Sequence, residues 1–294
     1  MCSQPVNELP LRQYASHPRD WRENLYVYPV ISRRSGGLSI GINLNPDAAC
    51  NFDCIYCQVD RTVAPRTREV NVVRLEEELS AMIASVSSGG LFGEPEFADV
   101  PESLRRPQDF AFSGDGEPTA CPQFLESVKL VARMKRDAHW DETKIVLITD
   151  ACYLIRPNVE AGLTILDEHH GEIWAKLDAG TEDYYRRVNR PNYPLGHVLD
   201  NILAVARRRP IVIQSLFMRI DGVGPGDGEL AAFADRLHEI AQAGGGIKLV
   251  QIYTIARRPA SASVAPLSNA EVDRIVELVR ERTGLHAEPY YGHA

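Results

Sequence analysis

The sequence contains no run of about 18 consecutive apolar residues, the length that usually spans a bilayer as a helix. Its first residues, Met1 to Glu8, are polar and lack the basic and then apolar segments of a secretory signal peptide. We therefore expect a cytoplasmic protein that has no membrane partner.

The sequence also lacks an excess of positive charge. It carries 32 Lys and Arg against 40 Asp and Glu, which gives a formal net charge of −8. Proteins that hold nucleic acid over a broad surface are usually basic, because they neutralise phosphates. A small-molecule substrate is therefore favoured over nucleic acid, although a local basic patch would be enough to bind RNA.

Cysteine is scarce, with six in 294 residues. Three of the six, Cys2, Cys121 and Cys152, are scattered along the chain, and we interpret them as free thiols rather than as a disulfide framework. The other three lie close together at the spacing C-x3-C-x2-C, and they are Cys50, Cys54 and Cys57.

These three cysteines follow a strand-like run, Leu38 to Leu44, and Pro46 and Asp47 break that strand before them. Three thiolates at this spacing favour a metal. A structural zinc site takes four protein ligands, and the sequence has no fourth Cys or His within a few residues. Iron–sulfur cubanes also usually take four cysteines, so three would leave one iron open. A redox-inert thiol group or adventitious zinc is the alternative.

A second motif, FAFSGDGEPT at residues 110–119, is rich in glycine. Together with the cysteine loop, in which Tyr56 directly precedes the last cysteine, it resembles the radical S-adenosylmethionine (SAM) superfamily. The resemblance implies that Cys50, Cys54 and Cys57 hold a [4Fe–4S] cluster whose open iron chelates SAM. One electron then cleaves SAM to a 5′-deoxyadenosyl radical. It also implies that Tyr56 packs by the adenine and that one turn anchors the methionine end, namely Ser113, Gly114, Asp115, Gly116 and Glu117.

Within that superfamily, three segments look closest to the wyosine-base-formation branch, whose better-known members modify guanine in tRNA. The segments are FSGDGEPT, WAKLDAGTEDYYRRVNRP and QIYTIARRP. Those members carry a second cysteine-rich motif ahead of the SAM loop, whereas only Cys2 precedes Cys50 here. A second cluster cannot be built there, so the tRNA reaction is disfavoured.

Strand-like and helix-like segments alternate along the rest of the chain, which favours a parallel sheet. Six such units match the fold that the resemblance implies, an α/β partial (β/α)6 TIM-like barrel. We expect one domain, with residues 1–37 as an N-terminal extension packed on a barrel of residues 38–294. The predicted strands are 38–44, 109–113, 144–149, 172–177, 211–217 and 248–254, and helices are predicted near 122–135, 158–168, 197–208 and 229–243.

Two further helices are predicted from periodicity and end signals. In the first, after the cysteine loop, apolar residues recur at helical spacing, and Gly89-Gly90 ends the helix; these residues are Val73, Leu75, Leu79, Met82, Ile83 and Val86. The final helix opens with Ser268 and Glu271 at capping-box spacing. Its expected buried stripe is Val272, Ile275, Val276 and Val279.

Polar residues at the carboxyl ends of barrel strands are candidates for the site, because chemistry collects at that end. Lys176 and Asp178 alternate on one strand, so their side chains should share a face. They form either a static ion pair, a contact to SAM or substrate, or a catalytic pair whose lysine has a lowered pKa. Further candidates for SAM binding are Thr149, Asp150, Gln214, Ser215 and Arg257.

The sequence thus predicts a radical SAM enzyme that acts on an unidentified substrate. It would need an external one-electron donor such as flavodoxin or ferredoxin. Two alternatives stay open. One is a tRNA-base-modifying radical SAM enzyme, and the other is an electron-transfer or iron-sensing protein that uses the cubane without SAM. The RNA alternative predicts a basic patch built from Arg186, Arg187, Arg190 and Arg257.

Overall fold

The computed structural model describes residues 11–15, 21–257 and 261–292, and it shows the alternation of strands and helices that the sequence predicts. The strands are β1 (Val27–Ser32), β2 (Gly37–Ile42), β3 (Pro107–Phe112), β4 (Lys144–Thr149), β5 (Gly171–Lys176), β6 (Ile211–Leu216), β7 (Met218–Ile220), β8 (Ile247–Tyr253), β9 (Val264–Pro266) and β10 (Ala287–Tyr290). The helices are α1 (Arg12–Ala15), α2 (Val72–Ser87), α3 (Phe124–Asp137), α4 (Pro157–Glu168), α5 (Glu182–Asn189), α6 (Leu195–Ala206), α7 (Asp227–Gln242) and α8 (Asn269–Thr283).

Contacts between residues divide the chain into two compact units. The first unit comprises residues 1–50, 61–148 and 156–172. In it, β2 pairs in parallel with β3 and β3 with β4, while β1 pairs antiparallel to β2. Side chains such as Ile40, Phe110 and Phe112 are fully buried on these strands. Removing each such side chain from water stabilises the fold by roughly 1.5–3 kcal/mol.

One polar residue is buried on the inner face of α2 in the first unit. The Glu78 side chain is 2 % exposed and receives the backbone N–H groups of Leu25, Tyr26 and Val27. Arg74 pairs with it one helical turn away. Because these donors satisfy the carboxylate, Glu78 fixes the chain that enters β1. Val73, predicted to lie on the apolar face, is 69 % exposed instead.

The second unit comprises residues 51–60, 149–155 and 173–294. It contains the parallel strands β5, β6, β8 and β10, and a separate antiparallel pair formed by β7 and β9. Helix α8 begins with the predicted capping box, in which Ser268 and Glu271 satisfy each other's terminal N–H groups. Its predicted apolar stripe is buried and consists of Val272, Ile275, Val276 and Val279.

The predicted strands agree with the observed ones to within two residues at each end, and the predicted α/β class is confirmed. Four strands were not predicted. β1 and β10 contain Pro29 and Pro289, which weaken a strand pattern, and β7 and β9 are three residues each. The division at residue 37 stays a prediction. No helix in the described ranges is long and apolar enough to cross a membrane.

Candidate functional site

The cysteine loop lacks regular structure, as the proline and aspartate before it predict. Cys50, Cys54 and Cys57 are partly exposed and form no disulfide. The loop begins with a tight turn in which the Asn43 side chain accepts the N–H of Asn45 at 3.0 Å. Three cysteines on irregular backbone suit an iron–sulfur cluster, which is held by cysteine thiolates.

Among the described residues, no three His, Cys, Asp or Glu side chains converge as they would around a single metal ion. In a cubane each cysteine binds a different iron, so the thiolates do not meet at one point. The assignment of Cys50, Cys54 and Cys57 as ligands therefore stays a prediction.

The glycine-rich turn after β3 packs against the chain that leads into the cysteine loop, within the first unit. A Cβ atom added to Gly116 would lie 1.8 Å from the carbonyl oxygen of Ala49, the residue before Cys50. A Cβ on Gly114 would lie 2.3 Å from Oδ1 of Asn43. Glycine is required at both positions because the protein itself fills the space that a side chain would take. A role for the turn toward SAM stays a prediction.

The polar residues of the turn have partners in the same unit. Nδ2 of Asn43 donates to Asp115 at 2.6 Å, and the Tyr28 hydroxyl lies 3.2 Å from both oxygens of Ser113. Glu117 is 2 % exposed and accepts the N–H of Thr119 at 3.0 Å. These bonds hold the turn in one conformation.

In the second unit, the later part of the cysteine loop pairs with the segment that follows α5. Asp53 and Ile55 donate their N–H groups to the carbonyls of Asn189 and Val188, at 3.1 and 2.9 Å. Asn192 donates its N–H to Asn51 at 3.1 Å. These three backbone bonds fix the loop around Cys54.

A buried polar network lies beside this loop. The Asp178 side chain is fully buried and accepts four hydrogen bonds, from Lys176 Nζ (2.8 Å), Leu216 N (2.8 Å), Asn189 Nδ2 (2.9 Å) and the Tyr56 hydroxyl (2.5 Å). Lys176 also donates to the hydroxyl of Tyr253 at 2.5 Å, and its ammonium lies 5.2 and 4.7 Å from the Tyr56 and Tyr253 ring centres. The predicted pairing of Lys176 with Asp178 on one face is observed.

This network determines the charge on Lys176. Burial favours the neutral amine, but the Asp178 carboxylate and the Tyr253 hydroxyl outweigh burial, so the pKa of Lys176 is raised. The amine is therefore an ammonium at neutral pH, and the suggestion of a lysine with a lowered pKa is wrong. Burial and the charge of Asp178 raise the pKa of Tyr56 well above its usual value, so its phenol stays protonated.

The same environment acts on Cys54. Burial and the nearby Asp178 charge raise the pKa of the Cys54 thiol to about 12, while hydrogen bonds from Tyr56 and Asn189 lower it in part. Nδ2 of Asn189 lies 3.5 Å from the sulfur. Cys54 and Lys176 are thus linked through Asn189 and Asp178. Neither Asn189 nor Tyr253 was among the predicted site residues.

The remaining strand-end candidates are buried. Asp150 accepts Nδ2 of Asn51 at 3.0 Å and the N–H of Cys152 at 2.9 Å, so it supports the cysteine loop. Thr149 accepts the N–H of Ala151. Gln214 donates to Gln251 at 2.9 Å, and its Oε1, like Oγ of Ser215, is buried without a partner among the described residues. A role for these side chains toward SAM stays a prediction.

Three of the four arginines predicted as an RNA-binding patch lie opposite carboxylates. Arg186 pairs with Glu182 at 2.8 Å, Arg187 with Asp221 at 3.8 Å and Arg190 with Asp53 at 3.4 Å. Their positive charge is therefore offset locally. Arg257 is half-buried, and the neighbouring Arg258 lies outside the described residues.

No model of a known protein family matches the chain. A curated relative named only UPF0026 protein, from Helicobacter pylori (strain J99), is 26% identical over 256 residues, which cover 85% of this chain and 73% of the relative. The solved structure of a radical SAM methyltransferase from Sphaerobacter thermophilus matches with a TM-score of 0.60 and 17% identity. That match covers 91% of this chain and 70% of the methyltransferase. It confirms the predicted fold class, an α/β partial TIM barrel of the kind found in radical SAM enzymes.

The structure of archaeal TYW1 matches more weakly, with a TM-score of 0.46, 15% identity, and coverage of 86% of this chain and 74% of TYW1. The suggested kinship with the wyosine branch is therefore not confirmed.

Proposed function

We propose that this protein is a radical SAM enzyme in which Cys50, Cys54 and Cys57 hold a [4Fe–4S] cluster and the open iron binds SAM. When bound and reduced, these groups supply a 5′-deoxyadenosyl radical that takes hydrogen from a substrate. The substrate is proposed to be a small molecule. An external one-electron donor, such as flavodoxin or ferredoxin, is proposed as the partner.

The observation that carries this proposal is the packing of the glycine turn against the residue before Cys50. The two signature motifs are distant in sequence, yet Gly116 has no room for a side chain beside Ala49, and Asp115 is held by Asn43. A turn packed beside the start of the cysteine loop would be within reach of an amino acid bound at the open iron, whereas a protein that only carries electrons has no amino acid to bind. The fold shared with a radical SAM methyltransferase supports the same proposal.

The residues of the second unit would orient and shield the bound groups. Asp178 holds the hydroxyl of Tyr56, so the ring has a fixed position beside the cysteine loop. Tyr56, Tyr184 and Tyr253 pack against an apolar cluster that keeps water from the network. The cluster consists of Ile55, Val188, Leu216, Met218, Ile220, Ile255 and Val264.

Lys176 would act as a permanent cation in this setting. Its raised pKa keeps the amine protonated, so it cannot attack a carbonyl carbon at neutral pH. Its side chain is 13% exposed, which leaves part of it accessible to a ligand. We therefore assign Lys176 to binding and orienting a substrate or SAM oxygen, and Asp178 to holding Lys176 and Tyr56 in place.

Anaerobic reconstitution tests the proposal. The protein with iron, sulfide, dithionite and SAM should form 5′-deoxyadenosine. Cys54→Ala should lose that activity, whereas Cys121→Ala, which removes a buried thiol outside the motif, should keep it. Cleavage retained in Cys54→Ala would overturn the cluster assignment. An intact cluster whose electron paramagnetic resonance does not respond to SAM would instead indicate an electron carrier.

A further inference from the structure

We propose that Asn189 is a positioning residue for Cys54, and that its side-chain N–H group sets the reduction potential of the cluster that Cys54 binds. This inference rests on the proposed function, because it requires the cluster. Asn189 is 135 residues from Cys54 in sequence and belongs to neither signature motif.

The backbone holds Asn189 in place beside the cysteine loop. It is the last residue of α5, and its carbonyl accepts the N–H of Asp53 at 3.1 Å. Arg190, which follows, has a left-handed backbone with φ of 44°, and this conformation ends the helix. Val188, on the other side, accepts the N–H of Ile55. Asn189 therefore cannot move away from the loop unless these bonds break.

The surroundings of the amide also fix its orientation. Nδ2 lies 3.5 Å from Sγ of Cys54 and 2.9 Å from Oδ2 of Asp178, so both amide hydrogens have an acceptor. Rotating the amide by half a turn would place Oδ1 against these two acceptors, and the like partial charges would repel. Oδ1 is buried and has no partner among the described residues. The amide is therefore held by its nitrogen, as a donor to the sulfur.

A donor at this sulfur affects electron transfer. Hydrogen bonds to cluster sulfurs and solvent exposure are among the properties that set the potential of an iron–sulfur cluster. A reduced cluster carries one more negative charge, so an N–H group aimed at a ligand sulfur stabilises the reduced form more than the oxidised form. Asn189 is 1% exposed, so its amide has little access to water as an alternative partner. The bond should make the cluster easier to reduce.

Asp178 also helps to hold the amide in this orientation. It binds Lys176 and Tyr56 as well, so the Asn189 amide is anchored to the network in which the proposed substrate-binding residue lies.

The test is a redox titration of the reconstituted cluster, followed by electron paramagnetic resonance. Asn189→Leu keeps the approximate shape of the side chain but removes the donor. Its midpoint potential should shift to a more negative value than that of the wild-type protein. The control is Asn158→Leu, the same change at an exposed position in α4, which should leave the potential unchanged. An unshifted potential in Asn189→Leu, with full iron content, would overturn the inference.

A second measurement does not depend on how the variant folds. The wild-type protein is labelled with nitrogen-15 at the asparagine side-chain amides, and pulsed electron paramagnetic resonance is recorded on the reduced cluster. A nitrogen coupling that is absent without the label is expected, and no such coupling would overturn the inference. If the wild-type protein assembles no cluster, the proposed function and this inference both fail. If it assembles one but shows neither effect, only the role of Asn189 fails.

Discussion

Gly116 is a position in the glycine-rich turn that has no room for a side chain. Its Cβ direction points at the carbonyl oxygen of Ala49, only 1.8 Å away, and that oxygen belongs to the backbone and cannot rotate aside. We expect Gly116→Ala to lower the free energy of unfolding by at least about 2 kcal/mol, because the two segments must separate. Urea denaturation of the purified protein measures this loss.

Gly228→Ala is the matched control for that substitution. Gly228 lies in the first turn of α7, and a Cβ there meets no atom within 4 Å. Alanine favours a helix over glycine by about 0.5–1 kcal/mol, so this variant should be as stable as the wild-type protein or more stable. Equal losses in both variants would contradict the contact at Ala49.

Asp178 is the carboxylate of the buried network, and its removal should strongly lower the free energy of unfolding. Asp178→Ala leaves the Lys176 ammonium without its ion-pair partner in a site where its side chain is 13% exposed. Breaking such a buried pair typically costs about 3–5 kcal/mol. Asp235→Ala, which removes an exposed partner of Arg282, should change stability by less than about 1 kcal/mol. Comparable losses in urea denaturation would show that Asp178 is not a structural centre.

At the scale of single residues, the sequence predicted interactions between residues that are close together in the chain. The cysteine spacing and the alternation of Lys176 and Asp178 are local patterns, and the structure shows the predicted ion pair. Asn189 and Tyr253 were missed because their partners lie far along the chain, 135 residues away for Asn189 and Cys54 and 77 for Tyr253 and Lys176. Only the fold brings them together.

The elements were predictable where apolar periodicity and capping signals coincided. The capping box at Ser268 and the buried stripe of α8 are examples, because both depend on residues within one helix. β1 and β10 were not predicted, since a strand that contains proline depends on its neighbour for support. Pro29 lies opposite Ile40, and Pro289 lies opposite Ile252. These two strands therefore form because the fold places a neighbouring strand beside each of them.

The pairing of β2 with β3 contains a buried carboxyl group that should make stability depend on pH. Asp109 is 2% exposed, faces Ser39 in the register and accepts its hydroxyl. Burial raises its pKa above the usual value of 3.8. Hydrogen bonds from Ser35 and Ser39 and the charge of Lys144 oppose the increase, and the charge of Glu172 adds to it. The folded protein therefore keeps a proton that the unfolded chain releases, so the contribution of Asp109 to stability falls as pH rises from about 3.8.

Asp109→Asn tests this dependence, because asparagine keeps the shape and does not ionise. The free energy of unfolding of the wild-type protein minus that of the variant should decrease as pH rises from about 4 to 7. Asp137→Asn, at an exposed position on α3, removes the same charge outside the buried cluster and should show a smaller change. A difference for Asp109→Asn that grows with pH would contradict the raised pKa.

Charge is the property of the whole molecule that bears on its partners. The net charge is −8, and Arg186, Arg187 and Arg190 each lie within 4 Å of a carboxylate. We expect no salt-dependent complex with tRNA in a gel-shift titration, even at low ionic strength, because few phosphates would be neutralised. A complex that weakens steeply as salt rises would revive the RNA alternative. A basic tRNA-binding protein serves as the positive control.

The pairing of the cysteine loop with residues 188–192 also has a consequence for the order of events during synthesis. The loop leaves the ribosome early, but its backbone partners emerge about 135 residues later. At roughly 5–20 residues per second, that delay lasts on the order of 10 s. During this interval Cys54 and Cys57 lie on an unsupported segment. Iron delivered during this interval would therefore meet an unfinished loop, and maturation should wait until residues 188–192 have emerged.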